Sequence, residues 1–293
     1  MVTESKQTVN NFEAPNRRLA FVLGGGGARG ALQVGALRAL LEANIQPDLI
    51  VGTSVGAINA AFIAMHGYTT TSLEKLEQTW FMAAKADLLP ANAAWLSVRV
   101  LFNRARAYPY HRMRDFFVAQ GLSPDLHFGE LTGPASILVA TDLNTQLPVF
   151  YGVDPQESLL EGVLASTALP PWVHPLELNG KFLMDGGVIS NLPIEPAIRN
   201  GATEIIALNL SSLEANNTDA HGFSPFLNKL LATIEKRHIY LEMELAQTMK
   251  VPVHLINLVT DQPMPIWDFN RTQALIQEGY RQTRLASVSS GIL

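Results

Sequence analysis

The sequence contains no cysteine and has only a small excess of charge of one sign. Without cysteine, the chain can form neither a disulfide framework nor a thiolate nucleophile. Its net charge of −5 at pH 7 provides no basic field, which argues against a nucleic-acid-binding protein. The seven histidines are scattered rather than set at metal-ligand spacing, so we expect no zinc site.

Long hydrophobic runs are also missing. No stretch approaches the roughly 18 uninterrupted apolar residues that a membrane span requires. Residues 1–18 are polar and lack the apolar core of a secretory signal, so we interpret them as a disordered N-terminal arm. These absences predict a cytoplasmic protein whose contact with a membrane, if any, is peripheral.

Short apolar runs, typical of buried strands, alternate with helical patterns along the chain. The strands are predicted at residues 19–23, 49–51, 136–140, 148–151, 203–210 and 251–258. A long amphipathic helix is predicted over residues 225–250. Its apolar residues favour core packing over contact with a partner or a membrane, and dimerisation is the weaker alternative. The alternation predicts a single three-layer α/β domain with a mainly parallel central sheet.

The pentapeptide Gly52-Thr53-Ser54-Val55-Gly56 joins the second predicted strand to a predicted buried helix. It has the form Gly-x-Ser-x-Gly, in which a sharp turn raises a nucleophilic serine above the sheet. The two flanking glycines would let strand, turn and helix approach closely. A tight turn with an idle serine is the alternative interpretation.

Residues 24–30 form a glycine-rich turn after the first predicted strand, with the sequence Gly-Gly-Gly-Gly-Ala-Arg-Gly. Gly25, Gly27 and Gly30 satisfy the dinucleotide-binding pattern Gly-x-Gly-x-x-Gly. That site also needs an acidic residue at the end of the second strand, whereas Asp48 lies before this strand. The N–H groups of the turn could instead stabilise an oxyanion. A nucleotide-binding module and a plain flexible turn remain as alternatives.

A serine nucleophile needs a base, and none of the histidines lies in a convincing motif. Asp185-Gly186-Gly187 follows a hairpin that is predicted around Asn179-Gly180, a strong type I′ turn signal. Because the two glycines that follow Asp185 have no side chains to shield its carboxylate, Asp185 is the better candidate for the base. A Ser-His-Asp hydrolase with His254 as base remains the chemical alternative, although Ser54 follows only the second strand.

Taken in order, the glycine run at residues 25–30, the Gly52–Gly56 pentapeptide and Asp185-Gly186-Gly187 resemble the signature of patatin-like phospholipases. The resemblance covers about residues 19–200. It implies Ser54 as nucleophile, Asp185 as base, and an oxyanion hole without metal or cofactor. The implied oxyanion donors are the N–H groups of Gly25, Gly26, Gly27 and Val55. The implied supporting residues are Gly30, Gly52, Gly56, Gly186, Gly187 and Arg29, which would brace the glycine loop or meet a phosphate.

The resemblance also implies a domain organisation and a substrate class. We expect a patatin-like catalytic domain over residues 19–205, with the strand and helices of residues 206–293 packed on the same domain. The expected substrate is a phospholipid or another acyl ester, cleaved by phospholipase A or lysophospholipase chemistry. A lipid-binding scaffold without catalysis is the remaining alternative.

One segment hints at contact with a lipid surface. No acidic residue occurs between Leu88 and Arg114, where arginines alternate with aromatic and aliphatic residues. This mixture suits anionic headgroups and acyl chains. We therefore interpret residues 82–120 as a lid or a membrane-facing insertion, with a partly buried insertion as the alternative. The arginines are Arg99, Arg104, Arg106, Arg112 and Arg114.

Overall fold

The computed structural model describes residues 17–86, 110–170, 173–212, 223–262, 264–265 and 268–289. In these residues the strands are β1 (Leu19–Leu23), β2 (Leu49–Thr53), β3 (Ala135–Asp142), β4 (Leu147–Tyr151), β5 (Leu176–Leu178), β6 (Lys181–Asp185), β7 (Glu204–Ser212) and β8 (Val253–Thr260). The helices are α1 (Ala31–Glu42), α2 (Val55–His66), α3 (Thr70–Lys85), α4 (Tyr110–Ala119), α5 (Leu159–Ser166), α6 (Ile194–Arg199), α7 (Phe223–Thr248) and α8 (Thr272–Ser289). Short 3₁₀ turns occupy Gly27–Gly30, Phe128–Glu130, Gly186–Val188 and Phe269–Arg271.

All eight strands belong to one sheet, whose order is β5-β6-β3-β2-β1-β7-β8, with β4 paired to β3 outside this path. The pairs between β3, β2, β1, β7 and β8 are parallel. Only β4, β5 and β6 run antiparallel to their neighbours. The predicted single α/β domain with a mainly parallel sheet is therefore confirmed.

The central strands are apolar throughout because helices cover both faces of the sheet. In β1, Phe21 and Leu23 pack into the cluster that contains α1, α2 and α3. Ala20 and Val22 point to the other face and pack with residues of α6 and α7. The result is the three-layer arrangement that the alternating sequence pattern predicted.

The way in which β2 and β6 pair with β3 brings the last residues of β2 and β6 close together. β2 pairs with β3 as far as Thr53 opposite Val139. At the next position of β3, Ala140 pairs with Asp185, the last residue of β6. Since each of the two strands ends at this point, the residue that follows Thr53 meets the last residue of β6.

The hairpin between β5 and β6 has the predicted turn. Asn179 and Gly180 both adopt left-handed backbone conformations, with φ of 50° and 75°. Positive φ at both central positions is the requirement of a type I′ turn, which Asn-Gly satisfies at little cost. The tight turn sets the register of β6 and hence the position along β3 at which Asp185 ends the strand.

The predicted core packing of α7 is confirmed in part. Ile239 packs against the core cluster that contains Ala20 and Val22, whereas Ile234 and Leu241 are 41% and 48% exposed. The inward face of the described part of the helix also includes Glu242, buried beside apolar Ala246. Amphipathic spacing indicates which residues share a face but cannot tell which face a buried carboxylate occupies.

Some predictions fall outside the described residues: most of the N-terminal arm (1–18) and the centre of the 82–120 segment, residues 87–109. The described parts of that segment are the end of α3 and nearly the whole of α4. None of the helices in the described ranges combines the length and the apolar character needed to cross a membrane.

Candidate active site

Ser54 occupies a strained turn between β2 and α2. Its backbone has φ 55° and ψ −124°, and its N–H donates to the Ser166 hydroxyl at 2.9 Å. The flanking glycines are required by close backbone contacts. A Cβ on Gly52 would lie 2.4 Å from the carbonyl oxygen of Gly56, and one on Gly56 would lie 2.1 Å from that of Leu23. The Gly-x-Ser-x-Gly sequence thus forms an elbow that projects the serine side chain.

The side chain of Ser54 reaches the carboxylate at the end of β6. Its Oγ donates to Oδ2 of Asp185 at 2.6 Å, while Oδ1 of Asp185 accepts from the Gly187 N–H at 2.7 Å. Asp185 is only 2% exposed. Burial raises the pKa of Asp185 to about 6, against the opposing effect of these two hydrogen bonds. The pair therefore combines a hydroxyl donor with a carboxylate of increased basicity.

The glycine loop after β1 runs past Ser54. The Gly24 N–H donates to the carbonyl of Leu208, and the Gly25 N–H donates to the carbonyl of Asn191 at 3.0 Å. None of the hydrogen bonds formed within the described ranges uses the N–H groups of Gly26, Gly27 or Val55. Of the four candidate oxyanion donors, the Gly25 N–H is therefore already hydrogen-bonded in this structure, and the other three N–H groups are not.

Arg29 lies against the same loop. Its guanidinium Nε donates to the carbonyl oxygen of Gly26 at 3.1 Å. Burial lowers the pKa of Arg29, and the nearby carboxylate of Glu235 acts in the opposite direction. The side chain thus contacts the loop that it was expected to brace.

A buried amide network behind the loop was missed by the sequence analysis. Gln33 donates to the carbonyl of Gly24 at 2.8 Å and accepts from the Asn59 side chain at 2.9 Å. Asn59 also donates to the carbonyl of Gly30 and accepts from the Trp80 indole. The sequence did contain a signal for this network, because Gln33 and Asn59 are amide side chains inside otherwise apolar helices. Buried polar groups of this kind usually have hydrogen-bond partners.

An apolar cavity opens onto the Ser54–Asp185 pair. Gly27 and Val55 contribute to its wall next to the two polar side chains. Most of the remaining lining is aliphatic or aromatic and comes from helices on one face of the sheet. Its larger members are Ile58, Leu76, Trp80, Phe116, Phe117 and Phe269. Such a site can hold an apolar chain against a hydroxyl and exclude water from it.

The residues of the two alternative sites lie elsewhere. His254 is near the start of β8 and contacts Glu204 at 3.1 Å, at the amino end of the parallel strands. Asp48 precedes β2, where its carboxylate accepts from the Leu19 N–H at 2.7 Å. Ser54 follows the carboxyl end of β2, so neither side chain can reach it across the sheet. In the ranges that the structure describes, no group of His, Asp and Glu side chains is placed to hold a metal ion.

Comparison with known proteins shows the family of this chain. The sequence profile of the Patatin-like phospholipase family matches residues 21–198, more than half of the chain. The chain belongs to this family. The membership confirms the resemblance drawn from the three motifs, and the match includes both Ser54 and Asp185.

Curated relatives of this chain are much longer proteins, and the chain matches only a small part of each. Human patatin-like phospholipase domain-containing protein 6 is 30% identical over 215 residues, covering 70% of this chain and 14% of that protein. Lysophospholipase nte1 of Aspergillus terreus is 27% identical over 292 residues, covering 90% of this chain and 18% of that protein. The chain thus spans less than a fifth of these curated relatives.

A solved structure supports the fold. VipD from Legionella pneumophila superposes with a TM-score of 0.51 at 15% sequence identity, covering 94% of this chain and 67% of that chain. At this identity the match concerns the architecture of the patatin-like domain and not its substrate.

Proposed function

We propose that this protein is a serine acyl hydrolase that cleaves carboxyl esters of lipids, with phospholipase A or lysophospholipase activity. The observation that carries the proposal is the 2.6 Å hydrogen bond from Ser54 to buried Asp185 beside an apolar cavity. Membership of the patatin-like phospholipase family supports it. So do the names of relatives, which include a lysophospholipase and the neuropathy target esterase of Drosophila melanogaster.

The first chemical step is attack by the Ser54 oxygen on the ester carbonyl carbon. Asp185 accepts the hydroxyl proton as the new C–O bond forms, which leaves a neutral carboxylic acid and a tetrahedral oxyanion. An aspartate with an ordinary pKa near 3.9 would be a weak base for this step. Burial raises the pKa of Asp185 and makes its carboxylate a stronger base.

The oxyanion needs donors that are already in place. The N–H groups of Gly26, Gly27 and Val55 are the candidates, because those of Gly25 and Ser54 are already bonded to Asn191 and Ser166. Val55 is the first residue of α2, so the helix dipole also favours negative charge there. Fixed donors of this kind contribute about 3 kcal/mol each to transition-state stabilisation.

The second half of the reaction returns the enzyme to its starting state. The protonated Asp185 gives its proton to the leaving alkoxide, which departs as the alcohol and leaves Ser54 acylated. Asp185 then accepts a proton from water, whose oxygen attacks the acyl carbon. As the C–O bond to Ser54 breaks, Asp185 returns this proton to the Ser54 oxygen, and the fatty acid leaves. One carboxylate serves both halves, so the scheme needs no histidine.

The test is release of fatty acids from mixed phospholipid and lysophospholipid vesicles, with the products identified by mass. We expect the wild-type chain to release fatty acids and Ser54→Ala to release none above background. Ser123→Ala, at an exposed turn, is the matched control and should retain wild-type turnover. Vesicles with and without anionic lipid, at low and high salt, also test the proposed peripheral contact of the arginine-rich segment.

Each outcome separates the competing functions. Turnover that survives Ser54→Ala would overturn the proposal. Vesicle binding without turnover would favour a non-catalytic lipid-binding scaffold. Thermal stabilisation by a dinucleotide without any turnover would favour the nucleotide-binding alternative.

A further inference from the structure

Ser190 and Asn191, which follow the Asp-Gly-Gly motif, form backbone contacts to all three motif loops. The Ser190 N–H donates to the Gly186 carbonyl at 2.9 Å, and the Ser190 carbonyl accepts from the Thr53 hydroxyl at 2.9 Å. The Asn191 carbonyl accepts from the Gly25 N–H at 3.0 Å. We call Ser190 and Asn191 the loop junction. Its position therefore sets the relative placement of the serine elbow, the aspartate turn and the glycine loop.

Two carboxylates of α7 accept hydrogen bonds from the side chains of the loop junction. Glu235 Oε1 accepts from the Asn191 side-chain amide at 2.6 Å. Glu242 accepts from the Ser190 hydroxyl through one oxygen and from the Glu195 N–H at 2.6 Å through the other. The two residues are two helical turns apart, so they lie on one face of α7. This helix lies beyond residue 198, where the family match ends.

Glu235 is also linked to the glycine loop through Arg29. The two side chains attract each other electrostatically, and Arg29 donates to the Gly26 carbonyl. A Cβ on Gly25 would lie 2.4 Å from the Asn191 side-chain oxygen, so the loop and Asn191 are packed without spare room. A shift of Asn191 must therefore displace the loop that carries the candidate oxyanion donors.

We propose that Glu235 and Glu242 are positioning residues, which fix the loop junction and thereby the oxyanion loop and the aspartate turn relative to Ser54. The inference rests on the proposed function, since it assigns α7 to that same site. Both residues lie outside the region that matches the family, residues 21–198, and the inference assigns them a role in positioning the catalytic groups.

Fold stability alone does not account for these carboxylates. Burying a carboxylate costs desolvation energy, and a well-packed apolar side chain often serves the fold as well or better. Catalysis, by contrast, depends on the placement of donors to a fraction of an ångström. A positioning role therefore predicts a loss of kcat with KM preserved, rather than a general loss of binding and folding.

The experiment compares Glu235→Ala, Glu235→Gln and the control Glu244→Ala in the full chain, using a soluble short-chain ester. Glu244 is an exposed acidic residue of the same helix. We expect Glu235→Ala to lower kcat about tenfold with KM within about twofold, because small displacements of catalytic groups have effects of this size. Glu235→Gln should restore most of kcat, since its amide oxygen can accept from Asn191. Glu244→Ala should leave both constants unchanged.

Several results would overturn the inference. An unchanged kcat in Glu235→Ala would do so, as would an effect on KM alone. Failure of Glu235→Gln to restore kcat would remove the hydrogen bond to Asn191 as the positioning contact. Thermal melting identifies a variant that merely unfolds. Should Glu235→Ala do so, Glu235→Met, which keeps the length of the side chain but has no acceptor oxygen, replaces it, and its unchanged kcat would be equally contradictory.

Hydrogen exchange measured by mass spectrometry tests the same inference without any turnover. In Glu235→Ala, peptides covering residues 24–30 and 186–195 should exchange faster than in wild type, while β7 and α8 stay protected. Unchanged exchange in those two peptides would overturn the inference and leave the proposed function intact. Faster exchange in a protein that hydrolyses no ester would overturn the proposed function and leave the structural link intact.

Discussion

The two ends of the parallel strands each carry a hydrogen-bonded carboxylate, but in opposite surroundings. At the carboxyl end, Asp185 is buried and faces the neutral hydroxyl of Ser54. At the amino end, Glu204 lies nearer the surface between Arg17 at 2.6 Å and His254 at 3.1 Å. Burial raises the pKa of Asp185 to about 6, whereas the hydrogen bond from Arg17 lowers the pKa of Glu204.

The contrast teaches what separates a candidate catalytic carboxylate from a structural one. Both have good hydrogen-bond geometry, and the Glu204 cluster even contains a histidine. The charge of Glu204 is compensated by the guanidinium of Arg17, so Glu204 is a weak base. Among the described residues, the carboxylate of Asp185 accepts only from the Ser54 hydroxyl and the Gly187 N–H, so its charge is poorly compensated and its basicity increases.

The largest expected effect concerns turnover after removal of each carboxylate charge. Asp185→Asn should lower ester turnover on the order of 10³-fold, the usual size of a general-base contribution. Glu204→Gln should leave turnover within about twofold, because it lies at the opposite end of the sheet. Initial rates with a soluble ester measure both. Equal losses in the two variants would erase the distinction between the two ends.

The same pair of variants should differ in stability with opposite signs. The raised pKa of Asp185 means that the folded state binds its proton more tightly than the unfolded chain, so this group's contribution to wild-type stability falls as pH rises from about 4 to 6. Asp185→Asn removes that loss and should stabilise the protein by up to about 3 kcal/mol above pH 7. Below pH 4 the gain should vanish.

Glu204 has a lowered pKa, so its contribution is present at neutral pH and is lost on acidification. Glu204→Gln should therefore destabilise the protein slightly at pH 7, by at most about 1 kcal/mol for a surface pair. Thermal unfolding of the three proteins between pH 4 and pH 8 measures these differences. A lower stability of Asp185→Asn at pH 8 would contradict the burial account.

The next comparison is between two glycines, one at each end of the parallel strands. Gly56→Ala places a Cβ 2.1 Å from the Leu23 carbonyl oxygen, so we expect a loss of about 1–3 kcal/mol together with loss of turnover. Gly201, which precedes β7 at the amino end, has φ 83° and more room. Gly201→Ala should cost about 1–2 kcal/mol of backbone strain and leave turnover unchanged. Urea unfolding and initial rates test both; full activity in Gly56→Ala would refute the tight elbow.

The smallest effect is expected for the histidine at the amino end. His254→Ala removes one partner of Glu204, which has Arg17 as a second partner. Stability should change by less than about 1 kcal/mol and turnover by less than about twofold. A large loss of turnover would revive the Ser-His-Asp alternative, with His254 as base.

The sequence predicted those features that local patterns determine. β1 was predicted with its observed bounds because an entirely apolar run ending in glycines has one simple interpretation. The β5–β6 hairpin followed from Asn179-Gly180, whose backbone preferences require that turn. The order of the three motifs also predicted Ser54 and Asp185 as partners, and the structure joins their side chains by a hydrogen bond.

The rest depends on contacts between residues far apart in the chain. Glu235 and Glu242 look like the solvated side of an amphipathic helix, and only the fold reveals that they face the loop junction. Gln33 and Asn59 are equally ambiguous, because their shared hydrogen bond joins two different helices. The occupied N–H of Gly25 likewise depends on Asn191, which no local pattern indicates.

The most direct test of the central claim is the pH dependence of Ser54 labelling by a fluorophosphonate, followed by mass spectrometry of the modified peptide. Since Asp185 must be ionised to accept the proton, the labelling rate should rise with pH around an apparent pKa of about 6, and Asp185→Asn should abolish this rise. Labelling at another residue, or a pH profile that Asp185→Asn leaves unchanged, would contradict the account.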